Sequence, residues 1–162
     1  MSPDRTQGKK PQQRPIIAVI GAAKASPDGY RKAEAVGRLI AERGAVLVCG
    51  GLGGVMEAAC LGCASHGGEA IGILPGPEAC QGNAFVTLAI PTNMGHARNV
   101  IIAHSARALI AIEGEYGTLS EIAVALKLGR PVVALDSWPD IPGVVYVDSP
   151  EVAIAEVFAR II

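Results

Sequence analysis

Aromatic rings are scarce in this chain: Phe, Tyr and Trp together make up 4% of its 162 residues. A core with few rings relies on Ala, Val, Ile and Leu, the usual filling between helices and a parallel sheet. An excess of charge is missing as well. Lys and Arg number 14 against 15 Asp and Glu, a net charge of −1, and the cations are scattered. A duplex reader needs a basic stripe, so no nucleic acid is expected as a partner. No apolar run approaches the roughly 18–20 residues that cross a bilayer, so no membrane is expected either. The charged N-terminus is followed by no signal-like apolar stretch, and the expected location is the cytoplasm. The four cysteines, Cys49, Cys60, Cys63 and Cys80, lack the second pair that a structural zinc site needs, so no structural metal is expected. Most of them read as small buried hydrophobes.

Two nucleotide fingerprints are also absent. The glycine order after the second strand is GGxGG rather than GxGxxG, and no acidic residue stands where an NAD ribose would be read. No GxxxxGK[ST] occurs, so triphosphate chemistry with magnesium has no support.

What the chain does have is glycine, 20 residues of it, clustered where strands hand over to helices. Residues 1–14 are polar, contain proline and lack periodicity, and they read as a disordered tail. Residues 15–162 read as a single domain, since half of the chain is apolar and its length suits one core. Apolar runs at 16–20, 45–49, 70–75, 85–91, 107–112 and 131–136 read as strands, with a shorter one at 144–147. Between them lie helical patterns, one of them capped by Ser26 or Asp28 and entered through Pro27. The others are expected at 55–64, 96–105 (with Val100, Ile101 and Ile102 inward) and 118–128. A last helix starts at Pro150. Strand, glycine turn and helix in repetition predict a three-layer, Rossmann-like, doubly wound and mostly parallel sheet with helices on both faces.

In such folds ligands bind at the C-terminal edge of the sheet, where the strand order reverses. Gly21 ends the first strand and lets a ligand or a helix approach the backbone. The run Gly50-Gly51-Leu52-Gly53-Gly54 offers backbone N–H groups at a helix start, where an anion is favoured. In Glu113-Gly114-Glu115-Tyr116-Gly117-Thr118-Leu119-Ser120-Glu121, the glycines free the backbone and Thr118 supplies a hydroxyl and an amide. Thr118 and Glu121 also fit a plain capping box. Glu113 and Glu115 put negative charge beside the site. The third segment, Thr92-Asn93-Met94-Gly95-His96-Ala97-Arg98-Asn99, sets Arg98 in a first helical turn, where a cation needs a negative partner: ligand phosphate or Glu121. His96 reads as a ligand contact or a cap, and His66 and His104 read as structural or exposed.

These three segments resemble, in order, the signature of a Rossmann-like family known as "possible lysine decarboxylase" or LOG-like. It takes in phosphoribohydrolases and, as the branch nearest this chain, molybdenum cofactor carrier proteins. The likeness covers residues 16 to about 136. It implies cofactor-binding roles for Gly21, Gly50, Gly51, Gly53, Gly54, Met94, Arg98, Asn99, Gly114, Tyr116, Gly117, Thr118 and Glu121. In the phosphoribohydrolases a motif PGGxGTxxE and an Arg-Lys pair carry the chemistry. That assigns Arg98 and Glu121 as catalytic if this chain hydrolyses, while Glu113, Glu115 and Asn99 depart from the pattern. The decarboxylase name has no support, because no lysine is placed for a pyridoxal phosphate aldimine.

Two functions follow from the resemblance. One is binding, carrying or protecting a phosphate-bearing, nucleotide-like ligand, with molybdenum cofactor (molybdopterin) as the foremost candidate. The alternative is cleavage of the N-glycosidic bond of nucleoside 5′-monophosphates to free base and ribose 5-phosphate. Apolar residues on the helices at 101–105 and 122–128 exceed what a thin sheet covers, and a homo-oligomer, dimer or tetramer, is expected.

Overall fold

The computed structural model describes residues 12–161. Most of the predicted tail, residues 1–11, lies outside the described residues. Within the rest of it, Gln12 to Arg14 have no regular structure, and the Arg14 guanidinium pairs with Glu69. The elements in chain order are β1 (Ile16–Gly21), α1 (Pro27–Glu42), β2 (Val46–Cys49), α2 (Val55–Ala64), β3 (Ala70–Leu74), β4 (Leu88–Pro91), α3 (Arg98–Ser105), β5 (Ala108–Ile112), α4 (Tyr116–Lys127), β6 (Val132–Leu135), β7 (Val144–Tyr146) and α5 (Pro150–Ile161). Short 3-10 turns at Ala79–Gln81 and Gly95–Ala97 break the long connections on either side of β4.

All seven strands join one parallel sheet in the order β4-β3-β2-β1-β5-β6-β7. The chain therefore winds outward one way from β1, then returns to its other side with β5. The reversal lies between β1 and β5, and their carboxyl ends frame the crevice that such sheets offer to ligands.

Strand residues alternate between two apolar layers. Ile17 and Val19 of β1 join Val36 and Ile40 of α1, the inner face of α2, and Ile154 and Val157 of α5. Ala18 and Ile20 face the other way, onto Ile102 and Ala103 of α3 and Ile122 and Ala125 of α4. Helices thus cover both faces, the three-layer arrangement expected from unalternating apolar strands. Each fully buried Ile or Leu in these layers contributes about 1.5–3 kcal/mol by leaving water.

Local chemistry sets the element ends. Ser26 caps α1, its hydroxyl accepting from the Gly29 amide at 3.0 Å, and Pro27 follows in the first turn. Ser149 caps α5, its hydroxyl accepting from the Val152 amide at 3.3 Å. Two expectations need correction. The buried face of α3 is Arg98, Asn99, Ile102 and Ala103, whereas Val100 is 44% exposed. The helix takes its phase from the buried pair at its start, which recurs four residues on. Moreover, α4 begins at Tyr116, two residues before Thr118, with Glu115 at the cap position and no side-chain capping bond. The Thr118–Glu121 capping box is therefore not formed.

Candidate functional site

A cleft of about 450 Å³ opens at the carboxyl edge of the sheet, over the reversal between β1 and β5. Its floor is Ile20 and Gly21 at the end of β1. One wall is Gly50, Leu52 and Met56 from the turn after β2 and the start of α2. The facing wall is Arg98 and Asn99 of α3 with Gly117, Thr118 and Glu121 of α4. Lys24, His96 and Glu115 stand at the rim.

Close packing dictates the glycine at the floor. A Cβ on Gly21 would lie 2.1 Å from the Ile112 carbonyl oxygen and 2.8 Å from Val55 Cγ1. The Gly50–Gly54 turn serves the fold more than the cleft. Gly54 has φ +62°, and a Cβ there would sit 2.2 Å from the Ala22 carbonyl oxygen. The Val55 amide donates to that same carbonyl at 2.9 Å, and the Gly51 amide donates to Cys49 Sγ at 3.3 Å. These two N–H groups are spent on protein partners.

The start of α4 is different. Its first amides, those of Tyr116, Gly117 and Thr118, have no carbonyl within the helix to meet, since the Glu115 carbonyl accepts from Leu119 at 3.0 Å. No side chain caps this end. The positive end of the helix dipole thus faces the cleft through Gly117 and Thr118, as at anion sites.

Four polar or charged residues are buried among the described residues, namely Arg98, Asn99, Thr118 and Glu121, and all four line this cleft. Arg98 Nε donates to the Ile73 carbonyl at 2.9 Å, Nη1 donates to Asn99 Oδ1, and Nη2 approaches the Gly50 carbonyl at 3.5 Å. Burial lowers the guanidinium's pKa, while the charges of Glu121 and Cys49 raise it. Glu121 is 6% exposed, and burial pushes its carboxyl up to about 8, with the charge of Arg98 acting the other way. No ion pair joins the two among the described residues, so the alternative of Arg98 meeting Glu121 directly is not realised.

The two acidic residues of the glycine loop part company. Glu113, at φ +53°, turns away from the cleft and accepts from the Ser26 amide at 3.1 Å and from the Ser26 hydroxyl, bracing the start of α1. Glu115 stays at the rim, and its carbonyl accepts from Trp138 Nε1 at 2.9 Å. The Trp138 ring lies 5.5 Å from that of Tyr116, whose side chain is 79% exposed.

Of the residues singled out from sequence, the cleft lining gathers Gly21, Gly50, Arg98, Asn99, Gly117, Thr118 and Glu121. Gly51, Gly53, Gly54, Met94, Gly114 and Tyr116 are not part of that lining, although they flank it in the same loops. The sequence reading assigned no cofactor-binding role to Ile20, Ala23, Lys24, Leu52 and Met56, although Ala23 and the Leu52–Met56 stretch lie in segments it singled out. Only Lys24 carried a signal, as the lone cation between the glycine ending β1 and the cap of α1. Cys49, Cys60 and Cys63 are buried and Cys80 is exposed. Cys49 and Cys60 lie 3.5 Å apart through their sulfurs, and burial pushes the Cys63 thiol up to about 11. Among the described residues no group of His, Cys, Asp or Glu is assembled to hold a metal ion, and no helix is long and apolar enough to cross a membrane.

The fold and cleft define a doubly wound α/β protein with an anion-accepting site at its switch point. Comparison with known proteins narrows this: the chain belongs to the SLOG cluster4 family, whose model matches residues 14–160. It is similar to the molybdenum cofactor binding protein of Rippkaea orientalis, at 36% identity over 93% of this chain and 99% of that one, with a TM-score of 0.87. It is also similar to the Moco carrier protein of Chlamydomonas reinhardtii, at 36% identity over 91% and 97% of the two chains, with a TM-score of 0.82. An uncharacterized protein of Archaeoglobus fulgidus is 51% identical over 139 residues, 85% of this chain and 91% of its own length. The LOG-like resemblance, with the cofactor-carrier branch nearest, is borne out.

Proposed function

We propose that this chain binds a phosphate-bearing, nucleotide-like ligand and carries or protects it, and that the ligand is molybdenum cofactor. One observation carries the reading: the Arg98 guanidinium and the uncapped start of α4 face a single cleft, so two independent anion-accepting groups converge there. Five guanidinium N–H groups are available, and the bonds to Ile73, Asn99 and Gly50 use three of them. The remaining two suit a phosphate oxygen pair. The floor and the Leu52–Met56 wall are apolar, as the flat body of a pterin requires. Two similar structures bear names that state cofactor binding or carriage.

The hydrolase alternative asks Glu121 to act as a carboxylate that stabilises an oxocarbenium-like sugar. A carboxyl raised to about 8 is mainly neutral at neutral pH, which does not supply that carboxylate, although a neutral acid is competent to protonate a leaving base. The test is calorimetric titration with AMP and, anaerobically, with molybdenum cofactor, with the AMP sample assayed for released adenine. Cofactor binding without base release is expected. Adenine release that vanishes in Glu121→Ala would make the chain a phosphoribohydrolase instead. In Arg98→Ala, affinity for AMP should fall about 10- to 100-fold more than affinity for adenosine. Equal losses would remove the phosphate role.

The assembly we infer is a homo-oligomer, dimer or tetramer. Leu88 and Ile90 pair in register with Ile71 and Ile73 on the α3 side of the sheet and are 55% and 43% exposed, close in chain order to the exposed Val100. Free thiols at all four cysteines suit a cytoplasmic setting.

A further inference from the structure

Arg98 and Asn99 open α3 side by side, and both are buried. Asn99 is held from two directions. Its Oδ1 accepts from Arg98 Nη1, and its Nδ2 donates to Ser120 Oγ at 3.1 Å. The Ser120 hydroxyl donates in turn to the Gly117 carbonyl at 2.6 Å. This chain of bonds ties α3 to the first turns of α4 and holds the guanidinium over the carbonyls of Ile73 and Gly50. Glu121 directly follows Ser120 and lines the same cleft, yet among the described residues its carboxyl has neither a hydrogen-bond donor nor an ion-pair partner. A buried carboxyl left in that condition is most stable as the neutral acid.

We propose that Asn99 is a positioning residue of this site. By fixing Arg98 on backbone carbonyls and bracing α4 through Ser120, it withholds the guanidinium from Glu121, so that Glu121 meets ligand as a carboxylic acid. The proposal rests on the reading of the cleft as a ligand site and deepens it. In acid form Glu121 presents one donor beside one acceptor, the complement of a heterocycle edge that carries an N–H next to a carbonyl or ring nitrogen. An ionised Glu121 would present acceptors alone and would repel a phosphate held nearby. The other charged or titratable groups around it are Arg98 on α3, Cys49 at the end of β2, Lys24 in the β1–α1 loop, His96 before α3 and Glu115 before α4.

The experiment is an NMR titration of the whole protein labelled with carbon-13 at its glutamate carboxyls, with the Glu121 signal identified by its loss in Glu121→Gln. The wild-type midpoint should lie well above that of an ordinary glutamate. In Asn99→Leu, which keeps the size and removes both hydrogen bonds, the freed guanidinium should pair with Glu121. The midpoint pH should then fall, half-titration moving to a proton concentration about ten- to thousandfold higher. A wild-type midpoint in the ordinary range overturns the proposal. So does an unchanged midpoint in an Asn99→Leu protein with native circular dichroism. Should that variant not fold, Ser120→Ala removes only the brace at an exposed position and must shift the midpoint the same way; no shift overturns the role of Asn99. The titration contains no ligand. It can therefore fail while the cofactor calorimetry succeeds, and the reverse.

Discussion

Replacing Glu121 by Gln should make this protein more stable, and increasingly so as the pH rises. Glu121 as a residue is 6% exposed, and burial raises its carboxyl from an ordinary 4.5 to about 8. Between those two values the native state keeps a proton that the unfolded chain releases. Unfolding free energy therefore falls with rising pH through that window. The contribution is intact below the unfolded value and wholly lost above about 8, and the loss amounts to about 5 kcal/mol. That is a large share of the roughly 5–15 kcal/mol that stabilises a typical domain. Gln keeps the shape and cannot titrate. The assay is guanidinium denaturation of both proteins at a series of pH values, at one temperature and one protein concentration. The difference between the two curves should grow by about 1.4 kcal/mol per pH unit from about pH 5 to pH 8. Parallel curves would show that Glu121 is ionised in the native cleft, and the account of an unpaired, proton-holding carboxyl would be wrong.

Two further outcomes test the frame around the cleft. Gly21→Ala drives a methyl group against the Ile112 carbonyl and Val55, so it should cost about 1–3 kcal/mol in denaturation; an unchanged midpoint would mean that the β1–β5 seam yields freely. Glu113→Ala removes the acceptor of the Ser26 amide and hydroxyl and a negative charge at the start of α1. It should cost about 1–3 kcal/mol and speed amide exchange in that helix's first turn, and unaltered exchange there would refute the brace.

Much of this molecule is legible in its residues. Apolar runs such as Ile16–Ile20 and Ala108–Ile112, each closed by glycine or a small turn, mark parallel strands because both faces must be apolar. Arg98 and Glu121 stand out because a cation in a first helical turn and an acid near a glycine loop each call for a partner. What sequence could not show is phase and direction. Val100 looks as apolar as Ile102, but the helix turns it outward once Arg98 and Asn99 are buried. The Thr-x-x-Glu spacing fits a capping box, yet α4 starts at Tyr116 because the backbone is already extended at Glu115, which places Thr118 inside the first turn. Glu113 looked like charge beside the site, but its left-handed backbone turns the carboxylate to Ser26, a residue 87 positions away. Lys24, Leu52 and Met56 reach the cleft only because β1 and β2 are neighbours, and the pairing of strands lies beyond any local pattern.

The chain has one tryptophan. Trp138 grips the peptide oxygen of Glu115 through its indole N–H and rests against Tyr116, at the very turn where α4 presents its free amides. Its emission therefore comes from a single place, one turn of backbone from the incoming anion. The protein carries an intrinsic optical probe at the mouth of its own cleft, so ligand binding can be followed in unmodified protein and in real time.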